Sequence, residues 1–301
     1  MVDLAHVRVI LVEPEGPLNI GSAARVMKNF GLQQLVLVNP QCDAFGEQAQ
    51  QMAVHAKELL FAAQRVDSLA AALVGCELAI ATTARERDLS NPLSLPETEF
   101  PHLLDPRFTQ TALVFGPESR GLNNDELCQA QRFVKVPTDA GYPSLNLAQA
   151  VAVCCYELAR LKRGVTSRVA TVPAVQTLPN ALPNGATSGT PSSIPVGLSA
   201  DSVTNPGPSL SPAERPASLD DLERYHAHLE SVLLKIGYLY PHTAPSRMRK
   251  LRQLLHRTMP TTAELALLRG MLRQLEWALA QPIPNIETDI DPASRFRSDP
   301  S

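Results

Sequence analysis

Short apolar runs that are rich in β-branched residues alternate, in the first half of the chain, with segments whose apolar residues recur at helical spacing. The runs predict buried strands at residues 7–12, 35–38, 78–81, 112–115 and 133–136. The segments between them and after the last run predict helices at residues 20–30, 50–61, 68–73, 124–129 and 147–161. Alternating strands and helices favour a mainly parallel sheet with helices on both faces, so we assign residues 1–163 to one α/β domain.

The second half of the chain has a different pattern. Pro, Ser, Thr, Ala and Gly dominate residues 164–217, and such a segment cannot bury enough apolar surface to offset the entropy of ordering it. We therefore predict a disordered linker there. A helical pattern resumes at Ser218, a good N-cap before an acidic first turn. Prolines separate three predicted helices of a small all-α domain over residues 218–281, and a flexible tail follows over residues 282–301. The three helices are predicted at residues 219–236, 246–257 and 262–279.

Composition and charge narrow the class of protein. The 301 residues are 44% hydrophobic and 19% charged, which is enough apolar material for two folded domains. There is neither an apolar run of the roughly 18 residues that a membrane span needs nor a signal-peptide pattern, so we expect a cytoplasmic protein without membrane association. The formal net charge of -3 gives no global attraction to polyanions. Any nucleic acid must therefore be bound by a local basic patch.

The five cysteines are scattered, and none lies at the spacing of a zinc site with a histidine or with a second cysteine. They predict free and mostly buried thiols at Cys42, Cys76, Cys128, Cys154 and Cys155. The sequence therefore implies no metal site.

The first candidate motif is Asn-Ile-Gly-Ser-Ala-Ala-Arg at residues 19–25, after the first predicted strand. Asn19 can cap the following helix, Gly21 lets another backbone approach closely, and Gly31 can end the helix. An arginine on such a helix is most often simply solvated, but α/β proteins gather ligand sites in the first turns after a strand. Helical spacing leaves Arg25 on a different face from a predicted core stripe formed by Ile20, Ala23, Ala24 and Met27.

The second candidate motif is Phe-Gly-Pro-Glu-Ser-Arg-Gly-Leu at residues 115–122. A strand that runs into such a sequence turns sharply, and the bare glycine backbone can receive a ligand at the strand's carboxyl end. An ordinary tight turn is the plainer interpretation. The glycine spacing fits neither a P-loop nor a dinucleotide-binding fingerprint.

The third candidate motif, Tyr-Pro-Ser-Leu-Asn-Leu-Ala-Gln-Ala at residues 142–150, leads into the last predicted helix of the α/β domain. Ser144 or Asn146 can act as the N-cap of that helix, which requires no further function. Free N–H groups and short polar side chains at a helix N-terminus can also hold an adenosyl ligand or a substrate phosphate. Both interpretations stay open on these residues alone.

In this order and at these spacings, the three motifs resemble the signature motifs of the SpoU/TrmH branch of the SPOUT methyltransferases. That branch has Asn-x-Gly-x-x-x-Arg, then Phe-Gly-x-Glu-x-x-Gly-Leu, then Ser-Leu-Asn before a helix, and the resemblance covers residues 6–162. Pro143 departs from it, because a serine is usual there. Within the branch the chain is most similar to the enzymes of the tRNA anticodon loop, in Val-Asn-Pro at 38–40, Ala-Thr-Thr-Ala-Arg at 81–85 and Arg-Met-Arg-Lys-Leu-Arg at 247–252.

The resemblance implies a SPOUT fold, in which the α/β domain ends in a trefoil knot formed by loops at residues 82–85, 116–122 and 136–146. It implies S-adenosylmethionine as methyl donor, bound by these loops in a bent conformation. It also implies a homodimer in which Arg25 is offered to the site of the neighbouring subunit. The implied donor-binding residues are Thr82, Thr83, Ala84, Phe115, Gly116, Glu118, Gly121, Leu122, Val136, Ser144, Leu145 and Asn146.

The implied activity is 2′-O-methylation of a tRNA ribose, at nucleotide 32 of the anticodon loop for the most similar enzymes. The implied catalytic residues are Asn19, Arg25, Ser144 and Asn146. A guanidinium, with a pKa above about 12, only donates hydrogen bonds. We therefore assign Arg25 a positional role, in which it holds a phosphate and stabilises the developing alkoxide. Ser144 and Asn146 then orient the hydroxyl or the donor.

A basic segment in the predicted all-α domain is a second candidate RNA contact. Arg247, Arg249, Lys250 and Arg252 concentrate positive charge in a chain that is acidic overall. Such a run is equally well a solvated helix face. A basic helix on a long tether also fits a second grip on tRNA phosphates, and we expect these side chains to bind RNA together with Arg25.

Other functions fit parts of the pattern. The same fold can methylate rRNA or another RNA, and a knotted RNA-binding protein can lack turnover altogether. The presence of Arg25, Glu118 and Asn146 argues against an RNA-binding protein that lacks catalytic activity. A nicotinamide or nucleotide enzyme on an open doubly wound sheet fits poorly, because the Gly-rich phosphate loop is missing.

Overall fold

The computed structural model describes residues 4–84, 93–164 and 210–281. The strands are β1 (Val7–Val12), β2 (Gln34–Val38), β3 (Gln64–Val66), β4 (Leu78–Thr82), β5 (Thr111–Phe115) and β6 (Arg132–Val134). The helices of the first two ranges are α1 (Pro17–Phe30), α2 (Glu47–Ala53), α3 (Lys57–Phe61), α4 (Leu69–Ala72), α5 (Pro96–Leu103), α6 (Asn124–Leu127) and α7 (Leu147–Lys162). Those of the third range are α8 (Leu219–Lys235), α9 (Ala244–Thr258) and α10 (Thr262–Ala280).

The strands form one sheet in the order β3-β2-β1-β5-β4-β6, and every pairing is parallel. The predicted mainly parallel sheet is therefore confirmed, and each predicted strand agrees with an observed one to within two residues at either end. Strand β3 was not predicted, because this edge strand has two exposed polar residues and no apolar run. Helix α5 was not predicted either, because Pro96 and Pro101 interrupt the helical pattern of that short segment.

Helix α1 begins three residues earlier than predicted. Gly16 occupies the N-cap position and Pro17 the first helical position, where the missing N–H of proline costs nothing. Asn19 therefore lies inside the first turn, and the prediction that it caps the helix is wrong. Gly31 ends the helix with a φ of 80°, as predicted. The predicted core stripe is also confirmed, since all four of its residues are buried.

The close approach predicted at Gly21 occurs against α2. A β-carbon on Gly21 would lie 2.1 Å from the carbonyl oxygen of Ala49, so no larger residue fits. The predicted single helix over residues 50–61 is wrong, because Val54 adopts a φ of 51° and breaks it. A 3₁₀ turn, Val54–Ala56, then separates α2 from α3.

Helices cover both faces of the sheet. One face packs against α1, α2, α3, α5 and α7 in a single buried cluster. The other face shares its buried cluster with α4, α6 and apolar residues of α8 and α10. Hydrogen bonds join the two parts: the Leu219 amide donates to the Cys76 carbonyl at 2.7 Å, and the Gly75 amide donates to Oδ1 of Asp220 at 3.0 Å. The helices predicted at 219–279 thus dock on the α/β domain.

Part of the predicted linker is packed. Ala217 is buried and donates its amide to the Pro260 carbonyl at 2.9 Å, and the Thr262 amide donates to the Arg215 carbonyl at 2.9 Å. The linker boundary predicted at residue 217 is therefore too late by several residues. The rest of that prediction, at residues 165–209, and the predicted tail from residue 282 lie outside the described residues.

The described ranges contain no helix that is both long and apolar enough to cross a membrane. All five cysteines carry free thiols, and four of them are buried.

Candidate functional site

An open cavity lies at the carboxyl ends of β4, β5 and β6. This edge of a parallel sheet is where α/β proteins bind ligands. Three segments line the cavity, one after each strand, and they hold the second and third candidate motifs. Eleven of the twelve predicted donor-binding residues line it: Thr82, Thr83, Ala84, Phe115, Gly116, Glu118, Gly121, Leu122, Val136, Ser144 and Leu145. Asn146, the twelfth, does not line this cavity; its side chain forms hydrogen bonds next to the cavity, as described below.

The loop after β5 owes its shape to two glycines. A β-carbon on Gly116 would lie 2.4 Å from the amide nitrogen of Leu122, so the two ends of the loop touch. Gly121 has a φ of 65°, a left-handed conformation that favours glycine. The segment folds back on itself and presents backbone and short side chains to the cavity.

Glu118 ties this loop to the start of α1. Its carboxylate accepts hydrogen bonds from the amides of Glu15 at 3.0 Å and Gly16 at 3.3 Å. It also accepts one from Nδ2 of Asn19 at 2.7 Å. Three donors on one carboxylate make a charge-assisted anchor, so the loop and the helix are held together.

A further hydrogen bond extends this chain to the third motif. Asn146 donates from Nδ2 to Oδ1 of Asn19 at 3.1 Å, across 127 residues of sequence. Its own Oδ1 caps α7 by accepting from the Ala148 amide at 2.9 Å. Of the two N-caps considered from sequence, Asn146 is the one observed. The three motifs therefore meet through Glu118, Asn19 and Asn146, while Ser144 lines the cavity itself.

Sequence reasoning missed Arg120, which lies in the same loop. Its guanidinium binds both carboxylate oxygens of Glu126 at 2.8 and 2.9 Å and reaches Glu13 at 2.6 Å. Hydrogen bonds to Glu126 and then to Glu13 raise the pKa of Arg120 further above its ordinary value. One local signal was present: Glu126 forms a capping box with Asn123 at the start of α6. The contact with Glu13 has no such signal.

Arg25 lies apart from the cavity of its own chain. It is exposed, and helix geometry puts it about 9 Å along α1 from Asn19. The exposed face it occupies also carries Leu18 and Asn29. Arg25 is therefore free to meet a molecule that approaches this face.

The predicted RNA-binding residues of α9 occupy two faces of the helix. Arg249 forms an ion pair with Asp125 of α6 at 3.1 Å, and Arg252 binds Glu223 of α8. Arg247 and Lys250 are exposed on another face. Helix geometry thus divides the predicted basic run into an inward and an outward pair.

Comparison with known families gives two matches. The profile of the SpoU rRNA Methylase family matches residues 6–156. The profile described as the tRNA methyltransferase TrmJ C-terminal domain matches residues 220–284. Together they cover the sheet with its cavity and the docked helices.

Curated relatives match along almost the whole chain. The chain is 35% identical over 274 residues to the tRNA (cytidine/uridine-2′-O-)-methyltransferase TrmJ of Cronobacter sakazakii, covering 91% of this chain and 97% of that protein. It is 37% identical over 277 residues to the tRNA (cytidine/uridine/adenosine-2′-O-)-methyltransferase TrmJ of Pseudomonas aeruginosa, covering 91% and 95%. Among solved structures, TrmJ from Z. mobilis superposes with a TM-score of 0.68 at 30% identity, covering 89% of this chain and 98% of that one.

Proposed function

Because the chain belongs to the SpoU rRNA methylase family, and within it to the TrmJ group, we propose that it methylates tRNA on a ribose 2′-hydroxyl. Membership of the family confirms the resemblance of the three motifs and identifies an RNA methyltransferase. The finer proposal is S-adenosylmethionine as donor and nucleotide 32 of the anticodon loop as acceptor, in the cytoplasm. The observation that carries it is that the second and third motifs line one cavity and that Asn19 of the first motif is hydrogen-bonded to both of them beside it.

The cavity suits S-adenosylmethionine. That molecule combines a flat apolar adenine, polar ribose and amino-acid groups, and a sulfonium cation that carries the transferable methyl group. Leu122, Val134 and Leu145 offer apolar surface, and the glycine-rich loop offers backbone polar groups. Glu118 adds a negative charge to the lining, which complements a cation. The residues present therefore fit the proposed donor.

The polar residues of the motifs divide into two roles. The side chain of Asn19 is hydrogen-bonded to Glu118 and Asn146, and that of Asn146 also caps α7. We therefore assign both residues to positioning the loop. Ser144 lines the cavity and can orient the donor or the attacking hydroxyl. Arg25 holds a phosphate of the RNA and stabilises the alkoxide as the 2′-hydroxyl loses its proton. The proton leaves to phosphate or water.

The surface around Arg25 supports the proposal of a homodimer. Helices α1 and α7 pack side by side, joined by Asn19 and Asn146 at one end and by an edge-to-face contact of Phe30 with Tyr156 at the other. Apolar side chains are exposed beside this seam: Leu18 at 49%, Val153 at 41% and Tyr156 at 54%. We propose that two copies meet here in the commonest, two-fold arrangement, which brings Arg25 to the partner's cavity. The proposal includes a trefoil knot of the cavity loops; residue 85 of the implied knot lies outside the described residues.

Methyl transfer to defined RNA tests this function. Purified protein is incubated with methyl-labelled S-adenosylmethionine and unmodified tRNA transcripts, and the product is mapped by nuclease digestion and mass spectrometry. We expect one labelled ribose, at nucleotide 32, and no label when that nucleotide is a 2′-deoxynucleotide. Label in rRNA fragments but in no tRNA would contradict the tRNA assignment, and absence of label from every RNA would contradict the activity.

A further inference from the structure

The loop between α8 and α9, which we call the aromatic loop (residues 237–243), is held in a defined conformation. Leu239 is 1% exposed, and its amide donates to the Leu233 carbonyl at 3.0 Å. The hydroxyl of Thr243 donates to the Tyr240 carbonyl at 3.2 Å. Leu239 is thus the anchor of the loop, in a small core that it forms with Ala244 and Met248.

Anchoring Leu239 turns its two neighbours outward. Tyr238 is 57% exposed and Tyr240 is 56% exposed. The guanidinium of Arg247 lies 5.7 Å from the ring centre of Tyr238 and donates to the carbonyl of that residue at 3.0 Å. The ring of His242 stacks on Tyr240 with centres 6.0 Å apart and an angle of 21° between the planes. Two flat, preformed stacks therefore lie on the surface of one short loop.

The chain segment that contains the aromatic loop is basic, and half of its cations are paired with acids of other segments: Lys235 with Glu276, Arg249 with Asp125 and Arg252 with Glu223. Residues 231–263 contain six lysines and arginines and not one aspartate or glutamate, although the whole chain has a net charge of -3. Lys250 follows Arg247 on the exposed side of α9. A partner for this surface must therefore accept stacking on its flat groups and carry negative charge.

Isolated exposed tyrosines need no explanation, but three aromatic rings with a stacked arginine beside a cationic helix face are a cluster. Unpaired RNA bases have the matching chemistry, because each base offers a ring face and is followed by a phosphate. Paired bases in a stem hide those faces. We propose that Tyr238, Tyr240 and His242 form a platform on which unpaired RNA bases stack, with Arg247 and Lys250 on the adjoining phosphates. The inference rests on the proposed function and assigns the C-terminal helices to a single-stranded loop of the substrate.

Binding of two RNA probes by the full-length protein tests the platform. The probes are an unstructured RNA of about ten nucleotides and a duplex of the same length. Replacing both tyrosines, Tyr238→Ala with Tyr240→Ala, should weaken binding of the single strand by at least about tenfold and leave duplex binding unchanged. The pair Tyr238→Phe with Tyr240→Phe should bind like the unaltered protein, because the ring faces remain.

A matched control separates the platform from a general loss of aromatic surface. Phe61 is 55% exposed and stacks on Phe45 with ring centres 6.3 Å apart, so Phe61→Ala removes an equivalent ring from the α/β domain. That variant should bind single-stranded RNA normally. Because stacking is not ionic, the tyrosine variants should keep the salt dependence of binding, whereas Arg247→Gln with Lys250→Gln should reduce its log-log slope by about 0.7 per lost contact.

Three outcomes would overturn the platform: unchanged single-strand affinity in the double alanine variant, an equal loss for the duplex, or a changed sedimentation mass with RNA binding intact, which indicates a protein contact. If the double alanine variant keeps its single-strand affinity and the unaltered protein methylates tRNA, the platform is refuted and the proposed function is not. Ring-dependent binding of single strands in a protein that methylates no RNA refutes the proposed function alone.

Discussion

The donor cavity and the outer surface of the docked helices treat their polar side chains in opposite ways. Around the cavity, Glu118, Arg120 and Asn146 each bind another segment of the same chain. On the outer side of α9, Arg247 and Lys250 are exposed. Arg247 donates to the Tyr238 carbonyl, and no carboxylate of the described residues pairs with either side chain. A small ligand needs a binding site that is already formed, so the polar groups around the cavity bind other segments of the protein and fix its shape. A polyanion needs charges that are left available, and these lie on the helices.

Helix α9 shows the same contrast within one element. Arg249, Arg252 and His256 repeat at helical spacing on the face that meets the rest of the protein, where they contact Asp125, Glu223 and the backbone of Ala130. Arg247, Lys250 and Arg257, which are three and then seven residues apart, lie on the exposed face. A charge run that is continuous in sequence therefore has two physical roles.

The largest effect is expected at Arg25, the exposed residue of the first motif. Arg25→Ala should reduce methyl transfer more than about 100-fold and leave S-adenosylmethionine affinity within about threefold, because we assign the side chain to the substrate and not to the donor. Arg25→Lys should restore little, since an ammonium lacks the planar fork. Turnover is measured with tRNA and donor affinity by calorimetry.

The control for Arg25 is Lys57→Ala, which removes an exposed cation from α3 and should keep full activity. Full activity of Arg25→Ala would contradict the proposal that this residue binds the RNA substrate.

The next effect should separate the two faces of α9. Replacing Arg247, Lys250 and Arg257 by glutamine should weaken tRNA binding and lower the slope of log affinity against log salt by roughly 0.7 to 0.9 per lost phosphate contact. The same nucleotide should still be methylated, because we assign selection of the ribose to the cavity and not to α9.

The matched change is Arg249→Gln with Arg252→Gln on the inward face. It should lower the free energy of unfolding by about 1 kcal/mol and change the salt slope little, because these side chains are bound to protein carboxylates. A larger change in slope from the inward pair than from the outward three would reverse the division of α9.

A smaller effect is expected at Glu118, the anchor of the cavity loop. Glu118→Gln keeps the size but loses the charge that three donors share, so donor affinity should fall by roughly tenfold, equivalent to about 1.4 kcal/mol. Asp105→Asn serves as control, because Asp105 pairs with Arg107 near the amino end of β5, at the opposite edge of the sheet. Calorimetric titration with S-adenosylmethionine distinguishes them, and equal affinities in the two variants would contradict the anchor.

The docked helices should respond to pH through two buried histidines. Burial, with repulsion from Arg252, lowers the pKa of His226 to about 3 and that of His256 to about 4. An unfolded histidine binds its proton near pH 6.5, so unfolding gains protons below that value and stability falls as pH drops from about 6.5 toward 4. Above pH 7 this contribution is fully present. Urea unfolding at a series of pH values measures the slope.

His226→Leu should flatten that slope. Both ring nitrogens of His226 lack a hydrogen-bond partner within the described protein, so an apolar side chain should cost at most about 1 kcal/mol at pH 7.5. His55→Asn, a change at an exposed histidine, should leave the slope as it was. An undiminished slope in His226→Leu would exclude this residue as the source.

The smallest effect is expected from the segment that joins the two regions. Deleting residues 171–208, which lie outside the described residues, should leave the melting temperature within about 2 °C and donor affinity unchanged, because the sequence there is poor in apolar surface. Thermal unfolding and calorimetry check this. A large loss of stability would show that the segment packs on the rest of the protein.

The sequence determined the elements and the position of the site. Five of the six strands, the core stripe of α1 and the end of that helix at Gly31 follow from local spacing and local chemistry, and all are observed. The sequence offered Ser144 and Asn146 as the cap of α7, and the structure has Asn146. The motif order also brought together most of the predicted donor-binding residues, because parallel strands gather their carboxyl ends at one edge. The hydrophobic pattern did not predict β3 and α5, because it is too short in the strand and is interrupted by prolines in the helix.

Tertiary structure alone decided which polar groups are partners. Arg120 and Glu13 lie 107 residues apart, and Asn146 and Asn19 lie 127 apart. No local period encodes such pairs, because they depend on how the parallel crossovers bring distant loops to one edge of the sheet. The same holds for α9, whose basic run is uniform in sequence. Docking of the helices on the sheet supplies Asp125 to Arg249, and packing of α8 against α9 supplies Glu223 to Arg252. Tertiary contacts therefore decide which cations of the run are paired.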